Sequence, residues 1–267
     1  MPFWCVILND IQDKKNMYTP DVWDRNLVSL IRSGAFNEKK SVEPMSVYKW
    51  TKLIDYFEGE GIIDVFSDGA SSHYYDEDFN LPAALRDRVL QLLKSDPPLS
   101  LSERYSVGKT ILNNAKLNDR LNEIFQKEHT TNEIQWETLQ LLAIIIHTLH
   151  SLSEGRYGLR GLLDIGCQLR NEGERIDFGR LKSYLKRLEL MRFSRLIGRF
   201  LISVLGFKKE EVPFSGKPCL SDTSIFFKMV VHPADSKTSL LLLSPREVYA
   251  TLHGRKEVDE EVEEKSL

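Results

Sequence analysis

Two histidines and an aspartate carry the side chains of this sequence that are best suited to metal chemistry. His147 and His150 are three residues apart in an apolar segment. On a helix they would share one face and could both bind a metal ion. No third ligand is apparent close by, although Asp164 lies on the next predicted helix. The alternative is that the imidazoles satisfy buried polar contacts, for example with Asp164 or Arg160. We favour this alternative and predict no metal, no cofactor and no catalytic residue.

Arg160 and Asp164 form the most motif-like polar pair. They are four residues apart, so on one helix they can pair directly. The neighbouring residues are mostly leucine and isoleucine, which indicates that this helix is at least partly buried. Because a half-buried charge needs a partner, we expect both side chains to be largely inaccessible. Their predicted partners are each other, His147 or His150.

Basic residues are concentrated in the C-terminal half. Residues 156–209 contain thirteen Lys or Arg against five Asp or Glu. Such a segment, with Arg156 and Arg160 at its start, could bind nucleotide phosphate, RNA or an acidic glycan. The alternative is that these are the solvated faces of amphipathic helices. No aromatic residues interleave with the basic ones on the polar faces. We therefore favour the second interpretation and predict no nucleic-acid partner.

Two weaker motifs resemble parts of known sites. Asp76, Glu77 and Asp78 could hold a metal ion, but they read better as an exposed loop before Pro82. The segment 107–110 (VGKT) is similar to the end of a phosphate-binding loop. It lacks the first glycine, because position 103 is Glu103, and no strand precedes it. We assemble no Ser/His/Asp or Cys/His set from the sequence.

Composition and charge are those of a water-soluble globular protein. The chain has 267 residues, 42% of them hydrophobic, and a net charge of -3. Cys5, Cys167 and Cys219 are scattered, which suits reduced thiols. The apolar start of the chain follows no basic residues, so we expect no signal peptide. The longest apolar run, 139–146, is too short to cross a bilayer. We predict a cytoplasmic protein with no membrane span.

Hydrophobic spacing predicts an all-α fold, a multi-helix bundle whose C-terminal part covers 134–206. Asp21, Ser46 and Asp177 are the predicted N-caps, and Gly34 is predicted to end the first helix. A small β element could lie near 62–66 or 225–243, although these could also be short packing segments. We expect a loop over 67–80 and one long helix over about 102–127. Residues 134–152 are apolar nearly all round, which is typical of a helix buried among others.

Changes in composition divide the chain into four regions. Residues 1–132 form an N-terminal helical region and residues 133–214 a C-terminal helical bundle. Residues 215–255 are an irregular packing segment, and residues 256–267 are an acidic tail, predicted to be solvated.

Three blocks of sequence resemble an uncharacterised family of nucleotidyltransferase-like proteins from bacterial polysaccharide contexts. The first comprises 27–36 (LVSLIRSGAF), 50–66 (WTKLIDYFEGEGIIDVF) and 81–93 (LPAALRDRVLQLL), and the second is 117–125 (LNDRLNEIF). The third contains His147, His150, Gly155 and the stretch GLRGLLDI at 158–165. The resemblance implies a helical architecture around a catalytic core whose paired carboxylates hold metal ions.

The expected catalytic core has no place in this chain, since only residues 127–133 separate the second block from the third. We therefore expect a core-less relative of that family, a non-catalytic interaction protein that binds a protein partner. The alternative is a residual nucleotidyltransferase or a nucleotide- or anion-binding protein. It would use the basic C-terminal face, Arg156 and Arg160, together with His147, His150 or Asp164.

Overall fold

The computed structural model describes residues 19–95, 97–105, 110, 112, 115–130, 135–153, 158–217 and 220–232. Every regular element in these ranges is a helix, which confirms the predicted all-α multi-helix bundle. The α-helices are α1 (Val22–Phe36), α2 (Val47–Gly59), α3 (Ile63–Ser72), α4 (Ala83–Ser95), α5 (Leu101–Arg104), α6 (Ala115–Thr130), α7 (Trp136–Ser153), α8 (Leu159–Glu172), α9 (Phe178–Arg187), α10 (Met191–Ser203) and α11 (Leu220–Val231). Short 3-10 turns follow α8 at Gly173–Arg175 and α10 at Lys209–Glu211.

The three predicted N-caps are confirmed. The side chain of Asp21 accepts a hydrogen bond from the Asp24 amide at 3.0 Å, and the Asp24 side chain accepts one from the Asp21 amide. The Ser46 hydroxyl caps α2, and Asp177 caps α9 by accepting from the Arg180 amide at 2.9 Å. Each cap satisfies a backbone N–H group that has no partner within the helix.

Helices α1 and α3 cross in backbone contact, and this contact corrects the predicted end of α1. A Cβ atom on Gly34 would lie 2.0 Å from the carbonyl oxygen of Val65, and one on Gly69 would lie 2.4 Å from that of Leu30. Gly34 is therefore needed for the crossing and does not end the helix, which continues to Phe36.

The prediction of a β element at 62–66 is wrong, because these residues enter α3. Ile63 and Phe66 are both buried and are three residues apart, as on one face of a helix. The predicted loop over 67–80 is shorter than expected, since α3 continues to Ser72. In the second candidate region, Leu220–Val231 is α11, and residues 233–243 lie outside the described part.

The long helix predicted over 102–127 is also wrong. α5 ends at Arg104, Tyr105 leaves the helical conformation with φ -121° and ψ 83°, and α6 begins only at Ala115. The hydroxyl of Tyr105 donates to Asp164 on α8, a contact that a continuous helical spacing could not reveal.

The core extends from α1 to α11, and α7 lies at its centre. Its residues from Leu141 to Ile146 are at most 1% exposed, which confirms that this helix is buried on nearly all sides. α7 packs on α8 and α9, and α8 also contacts α1. α11 covers α10, where Phe200 contacts Phe226 at a centroid distance of 5.7 Å. This packing places the start of α8 beside the corner between α2 and α3.

Candidate functional site

Asp164 is the centre of a charged network inside the bundle. Its side chain is only 6% exposed, and it accepts hydrogen bonds from Tyr105 Oη at 2.7 Å, Arg104 Nη2 at 3.1 Å and Arg160 Nε at 3.4 Å. Burial raises the pKa of the Asp164 carboxyl, although its three donors act in the opposite direction. With Asp64, described next, these residues form what we call the Asp164 network: Asp64, Arg104, Tyr105, Arg160 and Asp164.

Arg160 connects α8 to the corner between α2 and α3. Its Nη1 atom donates to the carbonyl oxygen of Gly61 at 2.8 Å and to Asp64 Oδ1 at 3.0 Å. Its side chain is 16% exposed. The prediction that Arg160 and Asp164 are largely inaccessible and bonded to each other is therefore confirmed. Their further partners are Asp64 on α3, Arg104 on α5, and Gly61 and Tyr105, which lie outside the helices.

The two histidines lie on α7 and are only half-buried. The Nε2 atom of His147 lies 3.4 Å from the hydroxyl of Thr110, and its ring faces Tyr105 at 5.6 Å. Burial lowers the pKa of His147, and the charge of His150 lowers it further. Among the described residues, no group of three His, Cys, Asp or Glu side chains could hold a metal ion.

Arg156, the remaining predicted binding residue, lies outside the described residues. So do Gly108 and Lys109 of the segment 107–110 (VGKT), which is similar to the end of a phosphate-binding loop. Thr110, which completes that motif, is buried. In the acidic triplet, Asp76 accepts a hydrogen bond from Lys39 Nζ at 2.7 Å.

Glu60, which the sequence analysis missed, lies under the first turn of α8. It is 6% exposed, and its Oε2 atom accepts a hydrogen bond from the Leu159 amide at 3.0 Å. The carboxyl group thereby does the work of an N-cap, because the N-cap residue itself is Gly158 and has no side chain to offer. Burial raises the pKa of Glu60 to about 8.

Acidic residues from earlier in the chain pair with several of the basic residues in 156–209. Arg170 pairs with Glu38, and its guanidinium lies over the rings of Phe36 and Phe207 at 4.8 and 4.2 Å. Further pairs of this kind are Arg160 with Asp64, Arg175 with Glu137, Arg180 with Glu128, and Arg187 with Glu123. Much of the apparent basic excess is therefore neutralised within the fold.

A serine, a histidine and an aspartate meet below the loop that follows α3. Ser33 Oγ lies 2.9 Å from His73 Nε2, and His73 Nδ1 lies 2.6 Å from Asp76 Oδ2. This is the order of atoms found in hydrolytic triads. The ring of His73 is 0% exposed, however, and the Ser33 hydroxyl also lies 2.9 Å from the Ser29 carbonyl of its own helix. We interpret the three residues as a structural lock between α1 and the loop, because a nucleophile must be within reach of its substrate.

The same loop carries two adjacent, strongly exposed aromatic residues. Tyr75 is 92% and Tyr74 58% exposed, and their rings meet edge to face at 5.0 Å. The guanidinium of Arg86 lies over the Tyr74 ring at 5.2 Å. We call Tyr74, Tyr75 and Arg86 the tyrosine surface. The two adjacent tyrosines are visible in the sequence, but their spacing predicts only a loop.

Comparison with protein-family models, curated proteins and solved structures gives no match to this chain. Across the helices that the structure describes, none is both long and apolar enough to cross a membrane.

Proposed function

We propose that this chain is a non-catalytic helical interaction protein that binds a protein partner through the tyrosine surface. The observation that carries the proposal is the exposure of Tyr75 and Tyr74 side by side, at 92% and 58%. Tyrosine and arginine are the residue types, with tryptophan, that contribute most often to the energy of protein interfaces. Two adjacent rings beside an arginine supply a large contact area with polar ends that can hydrogen-bond a partner.

Hydrogen bonds that hold this loop in place favour binding, because a fixed surface loses little conformational entropy when it meets a partner. His73, next to Tyr74, is fixed by Ser33 and Asp76. On the other side of the loop, the Asn80 amide bridges to the backbone of Met45, with both hydrogen bonds at 2.9–3.0 Å. The tyrosine rings therefore project from a loop that is anchored on both sides.

The alternative function, binding of a nucleotide or another anion by the basic C-terminal face, has less support. The guanidinium of Arg160 would have to leave the carbonyl of Gly61 and the carboxylates of Asp64 and Asp164. The relation to nucleotidyltransferase-like proteins remains part of the proposal. It is compatible with the described part of the chain, in which every regular element is a helix.

The test is co-purification from native cells with the full chain, its Tyr74→Ala/Tyr75→Ala variant and a matched control. Trp136→Ala serves as the control, since Trp136 is another exposed aromatic residue, 50% accessible, at the start of α7. We expect the wild type and the control to recover one stoichiometric protein that the double variant loses. A clean monomer from the wild type, or a partner retained by the double variant, contradicts the proposal.

Isothermal titration with nucleoside triphosphates and Mg²⁺ separates the two functions. The interaction hypothesis expects a flat titration. Micromolar binding that is lost in Arg160→Ala would favour the alternative, provided that the variant keeps its helical circular dichroism spectrum.

A further inference from the structure

We propose that Glu60 is a proton-dependent latch, which holds the corner between α2 and α3 on the first turn of α8 while its carboxyl is protonated. Only one oxygen of the Glu60 carboxyl makes this contact. Oε2 accepts from the Leu159 amide at 3.0 Å, whereas Oε1 is buried and has no hydrogen-bond partner. A charged carboxylate would leave this second oxygen without solvation, and a neutral carboxyl avoids most of that cost.

The charged groups around Glu60 do not remove this penalty. On α8, the guanidinium of Arg160 directs its donors to Gly61, Asp64 and Asp164, and not to Glu60. Asp64 on α3 is a second carboxylate. In this environment burial outweighs the stabilising hydrogen bonds to Glu60.

The nearby amides of Leu159 and Arg160 and the hydroxyl of Tyr56 act against burial and lower the pKa of Glu60. Even so, the pKa of Glu60 is raised from 4.5 to about 8. The acidic and basic residues Glu154 and Arg156 lie outside the described part of the chain.

The sign of the pH effect follows from the two states of the latch. In the closed state Glu60 is buried against the first turn of α8, and in the open state this contact is broken. In the open state water reaches the carboxyl, so it titrates near its ordinary value of 4.5, whereas in the closed state it titrates at about 8. Opening therefore releases one proton at any pH between these values. The latch is tightest at low pH, and the ratio of open to closed molecules should rise about tenfold per pH unit until the pH passes the closed-state pKa.

Amide hydrogen exchange measures this opening directly, because the amide of Leu159 donates to Glu60 and the amide of Arg160 follows it in the same first turn of α8. Protection factors would be measured by NMR on the full chain from about pH 5.5 to about 8.5 and corrected for the intrinsic pH dependence of exchange. We expect the wild-type protection of these two amides to fall about tenfold per pH unit and then level off above about pH 8.

Glu60→Gln keeps an acceptor oxygen and resembles the protonated carboxyl, so its protection factors should not change with pH. Glu58→Gln is the matched control, since Glu58 is an exposed glutamate two residues away that pairs with Arg88. This control should behave as the wild type does. Flat protection in the wild type, or the same slope in Glu60→Gln, overturns the proposal.

A second measurement decides the question even if Glu60→Gln does not fold. The side-chain carboxyl ¹³C resonance of Glu60 in the wild-type protein should titrate with a midpoint near 8, the value that its surroundings give. A midpoint near 4.5, the ordinary value for glutamate, would show that the carboxyl is already ionised at neutral pH and would overturn the latch.

Discussion

Asp164→Asn is the substitution that tests the charged network most directly. The change keeps the shape of the side chain but removes its charge and replaces one acceptor oxygen with an N–H donor. In the folded protein that side chain receives three donors, from Arg104, Tyr105 and Arg160. The asparagine oxygen can still accept from Tyr105 and Arg160, but its amide group must then face the guanidinium of Arg104, which also donates. We therefore expect the protein to be destabilised.

The size of this destabilisation depends on which of the two guanidinium groups keeps other hydrogen-bond partners. Arg160 retains the Gly61 carbonyl and Asp64, and its bond to Asp164 is long at 3.4 Å. Arg104 is 19% exposed, and its Nε atom is already buried without a hydrogen-bond partner. The substitution therefore removes about one charge-assisted hydrogen bond and leaves the Arg104 guanidinium partly without acceptors. Together these losses correspond to about 2–3 kcal/mol of unfolding free energy.

Urea denaturation followed by circular dichroism at neutral pH measures this loss. Asp64→Asn is the control, because Asp64 is 26% exposed and contacts only the outer side of the network. The control should cost less than about 1 kcal/mol, as is usual for solvent-screened ion pairs. If the unfolding free energy of Asp164→Asn lies within about 0.5 kcal/mol of the wild-type value, or is no lower than that of the control, the network does not stabilise the fold as described.

Further substitutions test how α1 packs against α3 and against the loop that follows it. Gly34→Ala should lower the unfolding free energy by about 3 kcal/mol, because its Cβ would lie 2.0 Å from the Val65 carbonyl oxygen. Gly173→Ala, where a Cβ meets nothing within 4 Å, should stay within about 0.5 kcal/mol in the same urea assay. Ser33→Ala should cost about 1–2 kcal/mol, since it leaves buried His73 without its Nε2 partner. A fluorophosphonate probe, followed by mass spectrometry of the native protein, should leave Ser33 unlabelled; labelling would show a reachable nucleophile instead of a lock.

The features that the sequence predicted correctly are local ones. Asp21, Ser46 and Asp177 cap helices because a short oxygen-bearing side chain just before an apolar period is enough to satisfy the first free amides. The burial of α7 follows in the same way from its composition, and the pairing of Arg160 with Asp164 follows from their spacing on one helix.

The features that the sequence did not predict depend on contacts between distant segments. Tyr105 and Asp164 are 59 residues apart, and Ser33 and His73 are 40 residues apart. No periodicity records that such residues meet, since a local pattern indicates only which face of a helix is buried. The break after Arg104 was missed for this reason, because Tyr105 leaves the helix to reach a partner on α8.

The same limit explains why the basic segment suggested an anion site. Counted along the chain, residues 156–209 carry a clear excess of positive charge. In three dimensions, Glu38, Asp64, Glu123, Glu128 and Glu137 from the preceding segments lie against it. A charge count along the sequence therefore cannot distinguish a ligand-binding face from an interface inside the fold.

The stretch 158–165, on which the family resemblance mainly rests, is constrained by packing at nearly every polar or small position. The Leu159 amide binds Glu60, and Arg160 and Asp164 belong to the charged network. A Cβ on Gly161 would lie 2.2 Å from the hydroxyl of Thr148 on α7, so only glycine fits there. Each of these requirements arises from how α8 meets its neighbours. The residues of this stretch are therefore accounted for by the packing of helices, and its polar side chains are used to hold α8 against the corner between α2 and α3 and against Arg104 and Tyr105.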